Sequence, residues 1–229
     1  MGFGLREELA CGAFLRGSEL VLRLPGQREA VVCRRDAVLL IGEHNVANLL
    51  AAACLSGMAG APPEAMAQVA ATFAGVEHRL ETVRVLGDVR WVNDSIATSP
   101  DRAVAAIKAF DAPIVLLAGG RDKKLPWGEF ACAVRRRVKH LVLFGEASDL
   151  IDRKVRNSGQ DPEGEGASAR SSVPIVRCAD LEEAVNLANV AATPGDVVLL
   201  APGGTSFDAY EDFTARGEHF RSLVRELGE

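Results

Sequence analysis

Three short stretches gather the residues that can do chemistry, and each follows an apolar run. Asn93, Asp94, Ser95, Thr98 and Ser99 come after Val89–Val92. Arg121, Asp122 and Lys123 come after Leu116-Leu117-Ala118 and the pair Gly119-Gly120. Thr205 and Ser206 come after Leu199-Leu200-Ala201 and a second pair, Gly203-Gly204. Side-chain amide, carboxyl, hydroxyl and ammonium groups are thus packed at the ends of would-be strands. Either of the first two stretches alone is an ordinary strand-to-helix turn; together they point to a site for a small charged molecule. Asn45 and Asn48 lie three apart, so they share a helical face. They read either as a cap with a polar surface neighbour or as two amides able to donate and accept on a purine edge.

The elements that must hold these groups are legible from periodicity. Val89–Val92 and Ile114–Ala118 are short, apolar and largely β-branched, as strands are. Ser99 is placed as an N-cap, Pro100 at the first helical position and Asp101 at the helix's positive end. Helices are expected near Asp101–Phe110, Trp127–Val138 and Leu181–Val190, with another short one after Ser148 and a C-terminal one over Tyr210–Leu227. Further strands are expected at His140–Phe144, Pro174–Arg177 and Val197–Ala201, with a hairpin turning at Gly87-Asp88. Strand–helix alternation implies an α/β fold, a mostly parallel Rossmann-like sheet with helices on both faces. In such sheets ligands bind outside the carboxyl ends of the strands.

Upstream, Phe3–Ile41 reads as a small antiparallel meander with strands in Val21–Leu24, Ala30–Cys33 and Ala37–Ile41. Helices follow at about His44–Met58 and Pro63–Phe73, and Gly75–Glu81 is the expected domain joint. Asn157–Ser172, rich in Gly, Ser and Glu, reads as a flexible surface insertion.

Composition excludes several classes. With 229 residues, 48% hydrophobic and 25% charged, the chain is an ordinary globule of one large or two small domains. A net charge of -5 gives no nucleic-acid footprint, and Arg135-Arg136-Arg137 with Lys139 is read as the solvated end of a helix. The five cysteines are scattered without a C-x-x-C pair, so free thiols in a reducing cytoplasm are expected. No secretory signal is visible at the start, and no apolar run nears the ~20 residues that cross a bilayer. The four histidines have no zinc spacing, and no metal site is expected. Neither glycine pair fits G-x-G-x-x-G or G-x-x-x-x-G-K-[ST].

"NDSIATSP" at 93–100 and "LLAGGRDKKLPW" at 116–127 resemble the C-terminal domain of the D-glutamate-adding Mur ligases. The likeness runs collinearly through "GEHNVANLLAA", "GVEHRLE" and "LLAPGGTSFDAYEDFTARGEHF", over roughly residues 41 to 229. It implies the tail of a central ATPase domain in residues 1–75 and an amino-acid-binding domain in 76–229. It implies that Asn45, Asn48, Arg79 and Asp94 contact ATP, with Arg79 reaching phosphate. It implies that Thr98 and Lys123 hold the side-chain carboxylate of D-glutamate, while Ser206 and the backbone of Phe213 hold its α-carboxylate.

The implied reaction uses ATP and Mg2+ to activate the carboxylate of UDP-N-acetylmuramoyl-L-alanine as an acyl phosphate, which the D-glutamate amine attacks. No phosphate-cradling loop occurs in this chain, so it is expected to be inactive without the N-terminal half of the ligase and to hold neither ATP nor metal firmly. Two departures stand out: Ile96 occupies a position that is lysine in some members, and Arg121 one that is aspartate. Arg121 and Asp122 are read as able to pair with one another, and Arg79 as able to pair with Glu77 or Glu81. The competing readings are a non-catalytic binding module or a related ligase, another Mur enzyme or folylpolyglutamate synthetase.

Overall fold

A computed structural model of the chain describes residues 1–73, 75–158 and 173–228. Most of the insertion expected over Asn157–Ser172 lies outside the described residues; Asn157 itself ends a helix. Two compact units are formed, Met1–Gly75 and Val76–Glu229.

The first unit is a four-stranded sheet with two helices. Its strands are β1 (Gly2–Gly4), β2 (Gly12–Arg16), β3 (Glu19–Arg23) and β4 (Ala30–Arg34), in that spatial order. Helices α1 (Glu43–Met58) and α2 (Pro63–Thr72) follow. Leu20, Leu22 and Val32 from the sheet meet Val46, Leu50, Cys54 and Met66 from the helices in one core. The sheet's other face buries Phe14 beneath two arginines, whose guanidinium carbons sit 5.4 Å (Arg16) and 4.9 Å (Arg23) from its ring centroid. Glu8 and Glu29 bind those arginines, so a charged lattice roofs an apolar ring.

Two expectations are corrected here. Ala37–Ile41 is not a strand: a single 3-10 turn, Arg35–Ala37, breaks off as Val38 N–H bonds Arg35 O, and an irregular stretch leads into α1. The meander is also not wholly antiparallel, because β1 pairs with β2 in parallel.

The second unit is a six-stranded sheet ordered β5 (Glu81–Leu86), β6 (Val89–Asn93), β10 (Val197–Gly203), β7 (Ile114–Gly119), β8 (Val138–Phe144), β9 (Ile175–Arg177). Only the edge strand β5 is antiparallel, joined to β6 through Gly87 and Asp88. Both of those residues have positive φ, 56° and 62°, the twisted turn a two-residue hairpin needs. Helices α3 (Pro100–Lys108), α4 (Gly128–Arg137), α5 (Ser148–Asn157), α6 (Leu181–Ala191) and α7 (Phe213–Glu226) link or follow the strands. Strands β7 and β10 are buried along their whole length, because helices cover both faces. Trp91, Val198 and Phe220 belong to the core under α6 and α7. Helix α7 starts three residues later than expected because Asp212 caps it, accepting from Ala215 N–H at 2.8 Å. At its other end the Arg84 guanidinium takes the Leu227 carbonyl at 2.8 Å, a cation where the helix end is negative.

The glycine pairs lie at the ends of neighbouring strands. Gly119 pairs with Gly203, and Arg121 and Thr205 exchange two backbone hydrogen bonds of 2.9 Å just beyond. A Cβ on Gly120, at φ 87°, would stand 2.1 Å from the Thr205 carbonyl oxygen. Backbone meets backbone there, so these glycines weld two loops together. Gly120→Ala should therefore cost more than about 2 kcal/mol of unfolding free energy. Gly128→Ala, whose added methyl meets nothing within 4 Å, should be neutral or slightly stabilising. Urea unfolding of both variants checks this; equal effects would contradict it.

Candidate functional site

The polar loops after β6, β10 and β7 stand side by side at the carboxyl edge of the sheet, because those three strands are neighbours. Lys123, after β7, donates from Nζ to the Thr98 hydroxyl, after β6, at 2.9 Å. These strands are separated by β10, so the contact spans the loop that carries Ser206. Lys123 is exposed and Thr98 half-buried, which leaves the pair open to solvent.

The loop after β6 is fixed from within. Asn93, fully buried, accepts from Ser95 N–H at 3.1 Å and donates to the Gly217 carbonyl at 3.2 Å. With its amide so oriented, its nitrogen meets His78 Nδ1 at 3.0 Å as a donor. The other ring nitrogen of His78, Nε2, lies buried 3.4 Å from a Glu218 oxygen. Ser95 donates to the Phe213 carbonyl at 2.7 Å. Ser206 is buried, and its carbonyl accepts from Ala209 and Tyr210, which turns the chain toward α7. Phe213 stands at the first position of α7.

Arg216 was given no role by the sequence, yet it organises this edge. Its guanidinium is fully buried and donates to Ser95 Oγ at 3.0 Å, Ser95 O at 2.9 Å and Gly204 O at 3.3 Å. Burial pulls its pKa down to about 10. In the sequence it is an ordinary helical arginine, and only its place three residues after Phe213 hints that it faces the loops.

Asp94 is the buried acid of the site. Its carboxylate accepts from Leu80 N–H at 3.0 Å, and burial pushes its pKa up to about 6 against the milder pull of Arg79 and Arg102. The segment it grips is conformationally unusual: His78 and Leu80 both have positive φ, 61° and 46°. Arg79 between them is exposed. Its expected partners are taken by Arg221, which reaches Glu81 at 2.7 Å and Glu77 at 3.3 Å.

Other expectations change. Arg121 pairs with Glu146 through two bonds of 2.9 Å, not with Asp122, which accepts from Trp127 Nε1 at 3.0 Å. Ser99 occupies the N-cap position but makes no capping bond; its hydroxyl serves the Asp101 carboxylate and lowers that pKa. Asn45 and Asn48 belong to the first unit. Asn45 donates to the Ile41 carbonyl at 2.8 Å and Asn48 to Asn45 Oδ1 at 3.4 Å, so they share a face. Glu77, His78 and Glu218 have metal-ligand chemistry within 4.8 Å. Arg221 already serves both glutamates, and its guanidinium disfavours a second cation there.

Comparison with known proteins places this architecture. Residues 78–204 match the family described as Mur ligase, glutamate ligase domain. A UDP-N-acetylmuramoylalanine–D-glutamate ligase of Symbiobacterium thermophilum is 47% identical over 94% of this chain and 45% of its own length. One of Roseiflexus sp. is 44% identical over 93% of this chain and 44% of its own. The chain thus spans about half the length of the curated relatives it matches. In fold it is similar to the UDP-N-acetylmuramate–alanine ligase MurC of Thermotoga maritima, with TM-score 0.64 and 16% identity over 97% of this chain and 47% of that one.

The raised pKa of Asp94 makes a signed prediction. A carboxyl raised from 3.8 to about 6 favours folding at low pH, and that contribution fades as pH climbs through the folded value. Asp94→Asn keeps an acceptor for Leu80 and cannot ionise. The stability of Asp94→Asn relative to the native chain should rise by up to roughly 3 kcal/mol between pH 4 and pH 7. A pH-independent difference in denaturant melts would show that Asp94 is not desolvated.

Proposed function

Because the chain belongs to the Mur ligase family, we propose that it is the amino-acid-binding half of a ligase that adds D-glutamate to UDP-N-acetylmuramoyl-L-alanine in peptidoglycan precursor synthesis. The observation that carries this reading is Lys123 Nζ on Thr98 Oγ1 at 2.9 Å, across the loop that holds Ser206. An ammonium and a hydroxyl so placed can both donate to one carboxylate oxygen pair. The resemblance gives the second carboxylate to the buried Ser206 and to the backbone of Phe213, the first residue of α7, whose N-terminus Asp212 caps through Ala215 N–H. A dicarboxylic amino acid thus finds two carboxylate positions, and its amine is left to react. The role of this half is to orient that nucleophile.

ATP with Mg2+ supplies carboxyl activation in the proposed reaction. Arg79 fits a phosphate: it is exposed, and Glu77 and Glu81 are engaged by Arg221. Asp94 fits a hydroxyl donor; Asn45 is buried with both amide atoms engaged, which leaves the Asn48 side chain to meet a purine edge. In this reading residues 1–75 complete a central ATPase domain with the N-terminal half of the ligase. The exposed Leu55 and Met58 of α1 support that, being apolar where an isolated helix would be polar. No described helix is long and apolar enough to cross a membrane, in keeping with a cytoplasmic ligase.

The test uses the complete ligase, this chain joined to an N-terminal half. Removing one member of a charge pair that substrate desolvates costs ~2–5 kcal/mol, so Lys123→Ala should raise the D-glutamate KM by roughly thirtyfold or more. The ATP KM should change little, and D-glutamine should be a poor substrate of the native enzyme. Retained preference for D-glutamate in Lys123→Ala would assign the carboxylate to other residues.

A further inference from the structure

A groove of about 700 Å³ lies between α3 and α4. It is built from one face of each helix: positions 104, 108 and 111 on or just after α3, and 128, 132, 133 and 136 on α4. Small side chains leave the space unfilled, because Gly128, Cys132 and Ala133 cannot bridge the interhelical gap. Val104 and Ala133, both buried, supply an apolar floor.

The rim is charged, and the charges are unevenly placed. In this parallel βαβ arrangement α3 and α4 run the same way, so both C-termini bring cations to one end. Arg137 is committed there, to the Phe110 carbonyl and to Asp111 at 3.4 Å. Lys108 and Arg136 are exposed and have no carboxylate within 4 Å among the described residues. Glu129 lies seven residues before Arg136, about 10 Å away along the helix axis. The trough is therefore apolar in the middle, positive at one end and negative at the other. None of this serves the loops at the carboxyl edge of the sheet; within the basic run Arg137 and Lys139 have partners of their own, Lys139 on Asp196 at 2.6 Å, which leaves Arg136 for the groove.

The geometry points to a docking groove for an acidic peptide segment of a partner protein, with carboxylates on Lys108 and Arg136 and an apolar side chain on Val104 and Ala133. A compact phosphate-type ligand fits less well. Its donors would have to converge and be shielded, whereas these cations are exposed on two helices and Glu129 repels a polyanion. A peptide lying along the trough meets all three features and takes its direction from Glu129.

The probe is a fluorescein-labelled ten-residue peptide with two glutamates followed by leucines, titrated against the full chain at low salt. Its lysine-for-glutamate counterpart and inorganic phosphate are the controls. Anisotropy should report saturable binding of the glutamate peptide alone. Affinity should fall at least about tenfold in Lys108→Gln/Arg136→Gln, two exposed positions at which loss of a helix-end cation lowers the melting temperature only slightly. Alkylation of Cys132, followed by mass spectrometry, should slow when the peptide is bound, since Cys132 lines the groove and is exposed. Absence of binding, equal binding of the lysine peptide, or unchanged affinity in the double variant overturns the proposal. Displacement by millimolar phosphate, with no protection of Cys132, assigns the cations to a small anion instead.

Discussion

One buried cation holds the polar edge of the second unit together. Arg216 has no carboxylate among its hydrogen-bond partners; its guanidinium is satisfied by the Ser95 hydroxyl and two carbonyls. Those partners come from the loops after β6 and β10, while Arg216 itself rides on α7. Ser95 passes the connection on to the Phe213 carbonyl. A planar fork with five donors can serve several acceptors at fixed angles, and a lysine cannot. Burying a charge this way is costly, as its lowered pKa records. The return is a rigid frame in which Ser206, Phe213 and the Asn93–Thr98 loop keep fixed relative positions.

Within that frame the two kinds of polar group differ in character. Asp94 is dry, gripping a backbone N–H of a residue at positive φ, and its carboxyl is driven toward neutrality by burial. Lys123 and Thr98 are wet by comparison. An exposed ammonium attracts a carboxylate weakly, because water screens both partners. In the proposed role, discrimination by charge at Thr98 and Lys123 therefore strengthens as water is excluded. The groove between α3 and α4 follows the same rule, since its cations are exposed and act through charge complementarity more than through raw affinity.

Much of the second unit was legible in the sequence because its signals are local. Fully apolar runs such as Ile114–Ala118 mark strands covered on both faces, and Gly87-Asp88 allowed the turn its positive φ values require. The closeness of Thr98 and Lys123 could be expected because each lies in the loop after a parallel strand, while the role proposed for them rests on the family resemblance. What stayed hidden depends on contacts distant in sequence. Arg216 looks like any surface arginine until the fold brings Ser95 and Gly204 to it. The glycine pairs fitted no nucleotide-binding pattern in the sequence, and only the fold shows that each pair meets the other's loop. Ala37–Ile41 is apolar enough for a strand, yet the 3-10 turn at Arg35–Ala37 takes the chain off the sheet and into α1. Arg121 beside Asp122 suggested a pair, while Glu146 and Trp127 were better placed to take them.

The central claim is that the Lys123 ammonium, held over Thr98, reads a carboxylate of D-glutamate. The most direct measurement is the side-chain ammonium resonance of Lys123 in the full chain, assigned by comparison with Lys123→Arg and followed by nitrogen-15 NMR during titration. With the site open to water, D-glutamate should shift that resonance along a saturable curve in the millimolar range, on the order of 4 kcal/mol of binding. D-Glutamine, of the same shape without the charge, should leave it in place. A Lys123 resonance that ignores D-glutamate, or moves equally with both, contradicts the account.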